Sequence, residues 1–301
     1  MIGRERETEK LLIAFLAGGH VLIEDVPGSG KTKLAKAFAR TLGCAFNRVQ
    51  FTPDLLPSDI TGIRYFNMKN SEFEFIPGPA FTNVLLADEL NRATPKTQSG
   101  LLECMEERQI TVDGETHRLP SPFMVIATQN PIENLGVFPL PEAQLDRFLM
   151  KIRLTGLNRT ERIEVLERFG GEDPLDSLTP ACSDADISRA VRECVNVFVH
   201  RDMLAYISDI AAATHAKDNV ILGVSTRGCI SLMKAAKCRA ALNGRDYVAP
   251  DDVKALAVDV FAHRLIMKGT LTQDSDAPEQ TVKSILEDIP VPTEDLDKYK
   301  L

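Results

Sequence analysis

The order of apolar and polar positions divides the chain into two parts. In the first part, short apolar runs alternate with segments of helical spacing, which predicts a parallel sheet with helices on both faces. The runs expected to be buried strands are 20–24, 45–51, 83–87, 123–128 and 148–154. One helix is expected before them at 4–16, where apolar residues keep helical spacing until Gly18 and Gly19.

After residue 154 the strand pattern ends and helical periodicity dominates. The expected helices are 160–169, 186–200, 203–217, 226–242 and 250–267, with turn residues between them. Ser225 occupies an N-cap position and Pro250 a first-turn position. We therefore expect three parts: an α/β core at 1–154, an all-α domain at 155–268 and an acidic C-terminal tail at 269–301.

Two segments of the first part do not belong to a plain sheet of this kind. Residues 63–66 and 72–76 are rich in apolar side chains and flank a polar loop, which predicts a hairpin within 61–79. Residues 109–112 and 115–119 flank Asp113-Gly114, a dipeptide typical of tight hairpin turns. Both expected hairpins precede a core strand.

Composition narrows the class of protein. The 301 residues are 44% apolar and 26% charged, which is typical of a globular protein. The net charge of −8 comes without any concentrated basic run, so we do not expect a nucleic-acid partner. The six cysteines are scattered without metal-ligand spacing, and we read them as core residues in a reducing compartment. No apolar run is long enough to cross a membrane and no signal-peptide pattern opens the chain, so we expect a cytoplasmic location without membrane insertion.

A glycine-rich segment joins the first strand to the next helix. Residues 25–32 are Asp25, Val26, Pro27, Gly28, Ser29, Gly30, Lys31 and Thr32, with aspartate where the simple phosphate-loop pattern has glycine. A turn between a strand and a helix N-terminus presents backbone N–H groups to a polyphosphate. Lys31 adds a positive charge at the β- and γ-phosphates, and the Thr32 hydroxyl is a ligand for Mg²⁺. The segment predicts a nucleoside triphosphate site.

Polar side chains end two other buried strands. Asp88 and Glu89 follow the apolar run at 83–87, and Asn130 follows the run at 123–128. Asp88 is expected to hold the Mg²⁺ that Thr32 also ligates, and Glu89 to polarise a water for in-line attack on the γ-phosphate. Parallel strands end at one crevice, so Asn130 is expected either to orient that water or to contact the γ-phosphate. Together these residues predict hydrolysis.

Three longer strings resemble the MoxR family of AAA+ ATPases. They are DELNRATPKTQ at 88–98, LLECMEERQITVDG at 101–114 and LPEAQLDRF at 140–148, and the similarity extends from residue 2 to about residue 267. The resemblance implies an AAA+ P-loop core with a five-stranded sheet, followed by a small all-α lid. It also implies that the two hairpins are the helix-2 insert and the pre-sensor-1 hairpin of this clade.

The resemblance implies a role for each matching residue of the core. Lys31 and Thr32 resemble the Walker A lysine and threonine, and Asp88 and Glu89 resemble the Walker B acids. Asn130 is similar to sensor 1. The implied cofactors are ATP and Mg²⁺.

Further roles implied by the resemblance fall on three arginines and one glycine. Arg147 is similar to the arginine finger that reaches the γ-phosphate of a neighbouring subunit, with Arg92 as the alternative trans-acting residue. Arg227 resembles sensor 2, which enters from the lid of the same chain. Gly3 belongs to a stretch that packs near the adenine. A finger acting in trans implies a ring, expected from the family to be a hexamer.

The expected function is chaperone-like remodelling of a protein client, in complex assembly or metal cofactor insertion, with a partner that carries a von Willebrand factor A domain. Two alternatives stay open. A nucleic-acid motor of the MCM type has the same two hairpins, but the tip at Asp113-Gly114-Glu115 would repel phosphates. A slow nucleotide-gated switch would make little use of Glu89 and Asn130.

Overall fold

The computed structural model describes residues 1–24, 28–130, 136–154, 156–168, 173–268 and 276–292. The chain divides into two compact units, Met1–Arg189 and Ala190–Leu301. The helices that begin in the first unit are α1 (Glu5–Leu16), α2 (Lys31–Thr41), α3 (Pro57–Thr61), α4 (Pro95–Glu107), α5 (Glu142–Leu145), α6 (Arg159–Arg168) and α7 (Asp184–Asn196).

A five-stranded parallel sheet forms the centre of the first unit. Its strands are β1 (Val21–Glu24), β2 (Phe46–Gln50), β5 (Val84–Asp88), β8 (Met124–Gln129) and β9 (Met150–Arg153), in the order β2-β5-β8-β1-β9. All residues of β5 are buried, as expected for a strand covered on both faces. The sequence prediction of a parallel sheet between helices is confirmed, and each of the five strands lies within two residues of its expected position.

The helices hold the strand ends that matter for the site. Leu34 and Phe38 are buried on α2, which contacts β2 and β5, and Phe38 meets Phe15 of α1 edge to face at 5.7 Å. Leu22, Leu85 and Val125 are fully buried at the middle of three adjacent strands. This apolar packing fixes the carboxyl ends of β1, β5 and β8 at a common edge.

Both predicted hairpins are present. In the first, β3 (Gly62–Asn67) pairs with β4 (Glu72–Pro77), and in the second β6 (Gln109–Val112) pairs with β7 (Glu115–Arg118). Asp113 and Gly114 have φ angles of 49° and 84°, which are the left-handed values that a type I′ turn requires. The two hairpins contact each other, because Arg64 Nη1 lies 3.0 Å from Glu115 Oε1 and another contact stacks the rings of Phe75 and His117 at 4.1 Å.

In its described residues, the second unit contains the end of α7 and four further α-helices. These are α8 (Arg201–Ala216), α9 (Thr226–Leu242), α10 (Pro250–Phe261) and α11 (Ala277–Asp288). Ser225 caps α9, as predicted, because its Oγ accepts a hydrogen bond from the Gly228 N–H at 3.3 Å. Within the described residues of the chain, no helix combines the length and apolarity needed to cross a bilayer.

A small sheet corrects the expectation that residues 250–267 form one helix and that no strand follows residue 154. Helix α10 ends at Phe261, a 3-10 turn covers Ala262–Arg264, and β11 (Ile266–Met267) pairs antiparallel with β10 (Val220–Leu222). Apolar periodicity does not distinguish a two-residue strand from one more helical turn. The distant pairing with β10 decides the conformation here.

The structure also differs from the expected domain limits. The segment before Arg189 packs on the first unit, since the Ala181 N–H donates to the Thr41 carbonyl at 2.7 Å, whereas the pattern expected a second domain from residue 155. Within the expected tail, α11 buries Val282 and Ile285 and contacts α8 and α10. Lys217 Nζ fastens that helix through Asp288 Oδ2 at 3.0 Å. The acidic composition of this segment predicted a loosely packed tail, although its apolar residues lie on one face of a helix.

Candidate active site

The described part of the glycine-rich loop has the backbone that a phosphate-binding turn needs. Asp25, Val26 and Pro27 lie outside the described residues. Gly28 and Gly30 have φ angles of 87° and 89°, and a Cβ at either position would meet no atom within 4 Å. Backbone conformation, not lack of space, therefore favours glycine at both positions. Gly30 is the N-cap of α2, so the unpaired N–H groups of that helix begin at Lys31.

Asp88 is a buried carboxylate at the end of β5, and it is only 3% exposed. Its Oδ1 accepts a hydrogen bond from Thr128 Oγ1 at 2.7 Å and lies 3.3 Å from Lys31 Nζ. Its Oδ2 accepts from Arg48 Nη2 at 2.8 Å and Arg48 Nε at 3.2 Å. Burial alone would raise the pKa of Asp88, but the hydrogen bonds from Thr128 and Arg48 and the charge of Lys31 hold that pKa below its usual value. Asp88 is therefore ionised at neutral pH.

Glu89 turns sharply out of the strand. Its φ of 56° is left-handed, which is uncommon for a residue other than glycine and recurs at functional sites. Its backbone N–H donates to Thr128 Oγ1 at 2.9 Å. The side-chain Oε2 accepts from Gln50 Nε2 at 2.8 Å and lies 3.0 Å from Arg92 Nε. Thr128 thus joins both acids, and two donors fix the Glu89 carboxylate.

These groups line one cavity of about 630 Å³, a volume within the range of small-molecule sites. Its polar lining combines the glycine-rich turn with the two acids: Gly28, Ser29, Gly30, Lys31, Thr32, Asp88 and Glu89. Its apolar lining includes Met1, Ile2, Leu157, Val165, Leu175 and Leu178. Polar and apolar side chains in one cavity suit the phosphates and the base of a nucleotide.

The N-terminal segment contributes to this cavity through the neighbours of Gly3. Ile2 and Arg4 line the cavity, and Arg4 Nη2 donates to the Ser29 carbonyl at 3.4 Å. Gly3 has a φ of 61°, and a Cβ there would lie 2.7 Å from the carboxyl carbon of Glu161. The end of the Glu161 side chain can move, so the left-handed φ favours glycine here, while the flanking side chains of Ile2 and Arg4 line the cavity.

Sequence reasoning missed two groups of lining residues. Arg48 and Gln50 lie on β2, and Gln50 is directly opposite Asp88 in the sheet. Polar residues at alternate positions near the end of a predicted strand were the available signal. The loop that carries Asp173 and Leu175 gave no signal, and it is held to α2 by Lys33 Nζ, which lies 3.0 Å from Asp173 Oδ2.

The other predicted residues lie elsewhere. Asn130 follows β8 and is 5% exposed. Arg147 follows α5, where its Nη2 lies 3.1 Å from Glu106 Oε2 and its Nη1 donates to the Leu102 carbonyl at 2.9 Å. Among the described residues, Arg147 and Asn130 do not line the cavity. Arg227 is an exposed residue in the first turn of α9, in the second unit.

The donor set fits a magnesium ion. Thr32 supplies a hydroxyl and Asp88 an ionised carboxylate, and both line the cavity. Mg²⁺ prefers such oxygen ligands and binds together with substrate phosphates rather than in an all-protein cage. Lys31, 3.3 Å from Asp88, adds a cation that suits the same phosphates.

A glycine-rich turn before α2, two acids at the end of β5 and this strand order define a P-loop nucleotide-binding core of the AAA+ class. Comparison with family models agrees with that class. The model described as "ATPase family associated with various cellular activities (AAA)" matches residues 20–150, and an AAA lid domain model matches residues 212–289.

Similar proteins extend over nearly the whole chain, which belongs to the MoxR family of AAA+ ATPases. YeaC of Bacillus subtilis is 46% identical over 98% of this chain and 92% of its own length. Chaperone MoxR1 of Mycobacterium tuberculosis is 40% identical over 97% of this chain and 79% of that protein. A crystal structure of a candidate ATPase from Cytophaga hutchinsonii, 39% identical, superimposes with a TM-score of 0.90 over 97% of this chain and 92% of that one.

Proposed function

We propose that the protein hydrolyses ATP with Mg²⁺ and uses the hydrolysis to remodel or activate a protein client. One observation carries the proposal: Lys31 Nζ lies 3.3 Å from Asp88 and Glu89 follows next in the chain, and all three line one cavity. When bound, Mg²⁺ would neutralise charge on the phosphates. Lys31 would bind the β- and γ-phosphates, and Thr32 and Asp88 would hold the metal.

Glu89 is the proposed general base. Its carboxylate orients a water for in-line attack on the γ-phosphate and takes a proton from it. Gln50 and Arg92 hold that carboxylate from the side, at 2.8 Å and 3.0 Å. Because the Thr128 hydroxyl bonds both the Glu89 N–H and Asp88 Oδ1, the base and the metal-holding group keep a fixed separation. Asn130 is buried at the end of β8, the strand beside β5, and we propose that it contacts the same water or the γ-phosphate once a nucleotide is bound.

The proposed functional unit is a ring, expected to be a hexamer. The position of Arg147 supports a ring. This partly exposed arginine pairs with Glu106 of α4, and it is not among the described residues that line the cavity of the same chain. A finger that acts on a neighbour's γ-phosphate needs such a position, and a planar cation there would stabilise the charge of the transition state. Arg227 is proposed to act from the lid within the same chain, and Arg92 is the alternative trans-acting residue.

The first hairpin supports a protein client. Phe66, Met68 and Phe73 are 49%, 79% and 61% exposed, respectively, and apolar side chains do not grip a phosphate backbone. The tip of the second hairpin is acidic at Asp113 and Glu115. A relative named as a chaperone fits the same assignment. Complex assembly or metal cofactor insertion, with a von Willebrand factor A domain partner in the cytoplasm, is the setting we propose.

A Glu89→Gln variant tests hydrolysis. We expect phosphate release to fall about 10²- to 10⁴-fold while ATP still binds, because only the base is lost. Steady-state phosphate release and ATP binding by equilibrium dialysis would measure the two effects separately. Equal turnover in wild type and variant would remove Glu89 from the mechanism and leave the switch alternative. The same variant, held in ATP, is the form in which to identify co-purifying clients.

Mixing two inactive variants tests the ring. Arg147→Ala subunits retain the phosphate-binding lysine, and Lys31→Ala subunits retain the finger. If Arg147 acts in trans, mixed assemblies contain interfaces with both groups, and hydrolysis partly returns. An absence of recovery at every mixing ratio contradicts a trans-acting Arg147, and repeating the experiment with Arg92→Ala then tests the alternative.

A further inference from the structure

Arg48 is a cation in the lining of the cavity, next to the two acids. It lies on β2, and its side chain is 46% exposed. Its Nη2 donates both to Asp88 Oδ2, at 2.8 Å, and to Gln50 Oε1, at 2.9 Å. Its Nε also donates to Asp88 Oδ2, at 3.2 Å. The Arg48 guanidinium therefore donates both to Asp88, which would hold the metal, and to Gln50, whose amide donates to the general base Glu89.

The two oxygens of Asp88 have different partners. Oδ1 accepts from Thr128 Oγ1 and faces Lys31 Nζ. Oδ2 accepts from Nε and Nη2 of Arg48, which approach it from one side. A divalent cation bound to Oδ2 would lie close to the positive charge of the Arg48 guanidinium. Arg48 and Mg²⁺ therefore compete as cations for one carboxylate oxygen.

We propose, on the basis of the proposed function of this site, that Arg48 is a positioning residue. It is the counter-cation of Asp88 in the absence of metal, and it moves away from Oδ2 when Mg²⁺ binds with a nucleotide. A second consequence follows from Gln50, which accepts from Arg48 through Oε1 and donates to Glu89 through Nε2 at 2.8 Å. Withdrawal of Arg48 frees the Gln50 amide, so the metal site and the general base are coupled through two side chains.

The test is a Mg²⁺ titration of nucleotide binding, which does not depend on turnover. The fluorescent analogue mant-ADP is bound to wild type and to Arg48→Gln at increasing MgCl₂. Removing the competing cation should lower the Mg²⁺ midpoint about three- to tenfold, a modest factor because half of the Arg48 side chain is in solvent. Mn²⁺ binding to the ADP complex, followed by electron paramagnetic resonance, should shift in the same direction.

Arg92→Gln is the matched control. It removes one positive charge next to the cavity, but Arg92 pairs with Glu89 and not with Asp88. Competition predicts that its Mg²⁺ midpoint stays within about twofold of wild type. Equal shifts in the two variants would show a general charge effect and overturn the proposal. An unchanged or higher midpoint in Arg48→Gln would overturn it as well.

Arg48→Lys keeps the experiment decisive if Arg48→Gln does not fold. A lysine retains one charge but cannot donate to Asp88 and Gln50 through a planar guanidinium, so the Mg²⁺ midpoint of Arg48→Lys should lie below that of wild type. If Arg48→Gln also folds, the midpoint of Arg48→Lys should lie between those of wild type and Arg48→Gln. A lysine variant with the wild-type midpoint contradicts the role of Arg48. Failure of wild type to bind mant-ADP at any Mg²⁺ concentration overturns the nucleotide site itself, and this inference with it.

Discussion

Two buried aspartates, Asp88 in the first unit and Asp252 in the second, resemble each other closely by local measures. They are 3% and 0% exposed, and both pair with arginine. Asp252 accepts from Arg245 Nη1 and Nη2 at 2.6 and 2.7 Å, from Arg239 Nη1 at 2.7 Å and from the Ala249 N–H at 2.9 Å. Burial alone would raise the pKa of Asp252, and these donors hold that pKa below its usual value, as happens for Asp88.

The difference lies in what surrounds the partners. Around Asp252, the donors named above come from Ala249 at the start of α10 and from two arginines beside that helix. Asp252 therefore caps the N-terminus of α10. Around Asp88, the partners Lys31 and Arg48 line a cavity. A depressed pKa and a buried ion pair therefore occur in both a structural cap and a candidate site. The candidate site differs from the cap because a ligand that enters the cavity can replace the partners of its aspartate.

Asp88→Asn should give the largest effect, and it should fall on activity. We expect turnover to drop about 10²- to 10³-fold, because the amide loses the charge that holds the metal. The free energy of unfolding should fall less than in Asp252→Asn, by about 1–2 kcal/mol, because Arg48, 46% exposed, regains hydration and only Lys31, 12% exposed, loses a partner while it is largely buried. Phosphate release and urea unfolding would measure the two quantities. A large stability loss with normal turnover would make Asp88 a second structural cap.

Asp252→Asn should give the opposite result. Two arginines lose their common partner and α10 loses a charged cap, so we expect unfolding free energy to fall by about 2–4 kcal/mol. Well below the melting temperature, mant-ADP affinity should stay within about twofold of wild type. Urea unfolding followed by circular dichroism would measure the loss. If affinity collapsed in a fully folded variant, the cap would belong to the site after all.

Local sequence signals predicted most of the core and half of the site. The apolar runs identified the five strands, and Asp113-Gly114 identified a hairpin, because strand burial and turn geometry are set by neighbouring residues. The glycine-rich turn and the acids at 88 and 89 were found for the same reason. In each case the residues that form the feature are adjacent in the chain.

Pairings between distant segments explain what sequence reasoning missed. Arg48 and Gln50 belong to the site only because β2 lies beside β5. The residues of neither strand alone predict which strand will be its neighbour. The short pairing of β10 with β11 and the docking of α11 through Val282 also depend on remote partners. Periodicity identifies an element, and sheet order and packing decide which side chains meet.

The first unit has its own buried polar anchor, at the edge of the sheet opposite Asp88. His20 precedes β1, where its Nδ1 accepts from the Val125 N–H at 2.9 Å and its Nε2–H donates to the Met105 carbonyl at 3.0 Å. These bonds require the neutral ring. Burial lowers the pKa of His20 to about 4, helped by the charge of Arg108 and only partly offset by the Met105 bond. The neutral imidazole therefore ties β1, β8 and α4 together.

Protonation of His20 should make the first unit sensitive to mild acid, the smallest of the three effects. Its pKa is lower folded than unfolded, so the unfolded chain takes up the proton first and stability falls as pH drops below about 6.5. From pH 7.5 to pH 5 the loss should be about 2 kcal/mol. Urea unfolding followed at 222 nm would measure it, as the chain has no tryptophan.

His20→Gln should flatten that dependence, whereas the control His200→Gln, at the partly exposed N-cap of α8, should retain it. Asp252 stays ionised throughout this range, because its pKa lies below the ordinary value of 3.8. The Asp252→Asn variant should therefore start from lower stability and show the same slope with pH as wild type. If His20→Gln kept the wild-type slope, another group would be responsible, and the acid sensitivity could not be assigned to the first unit.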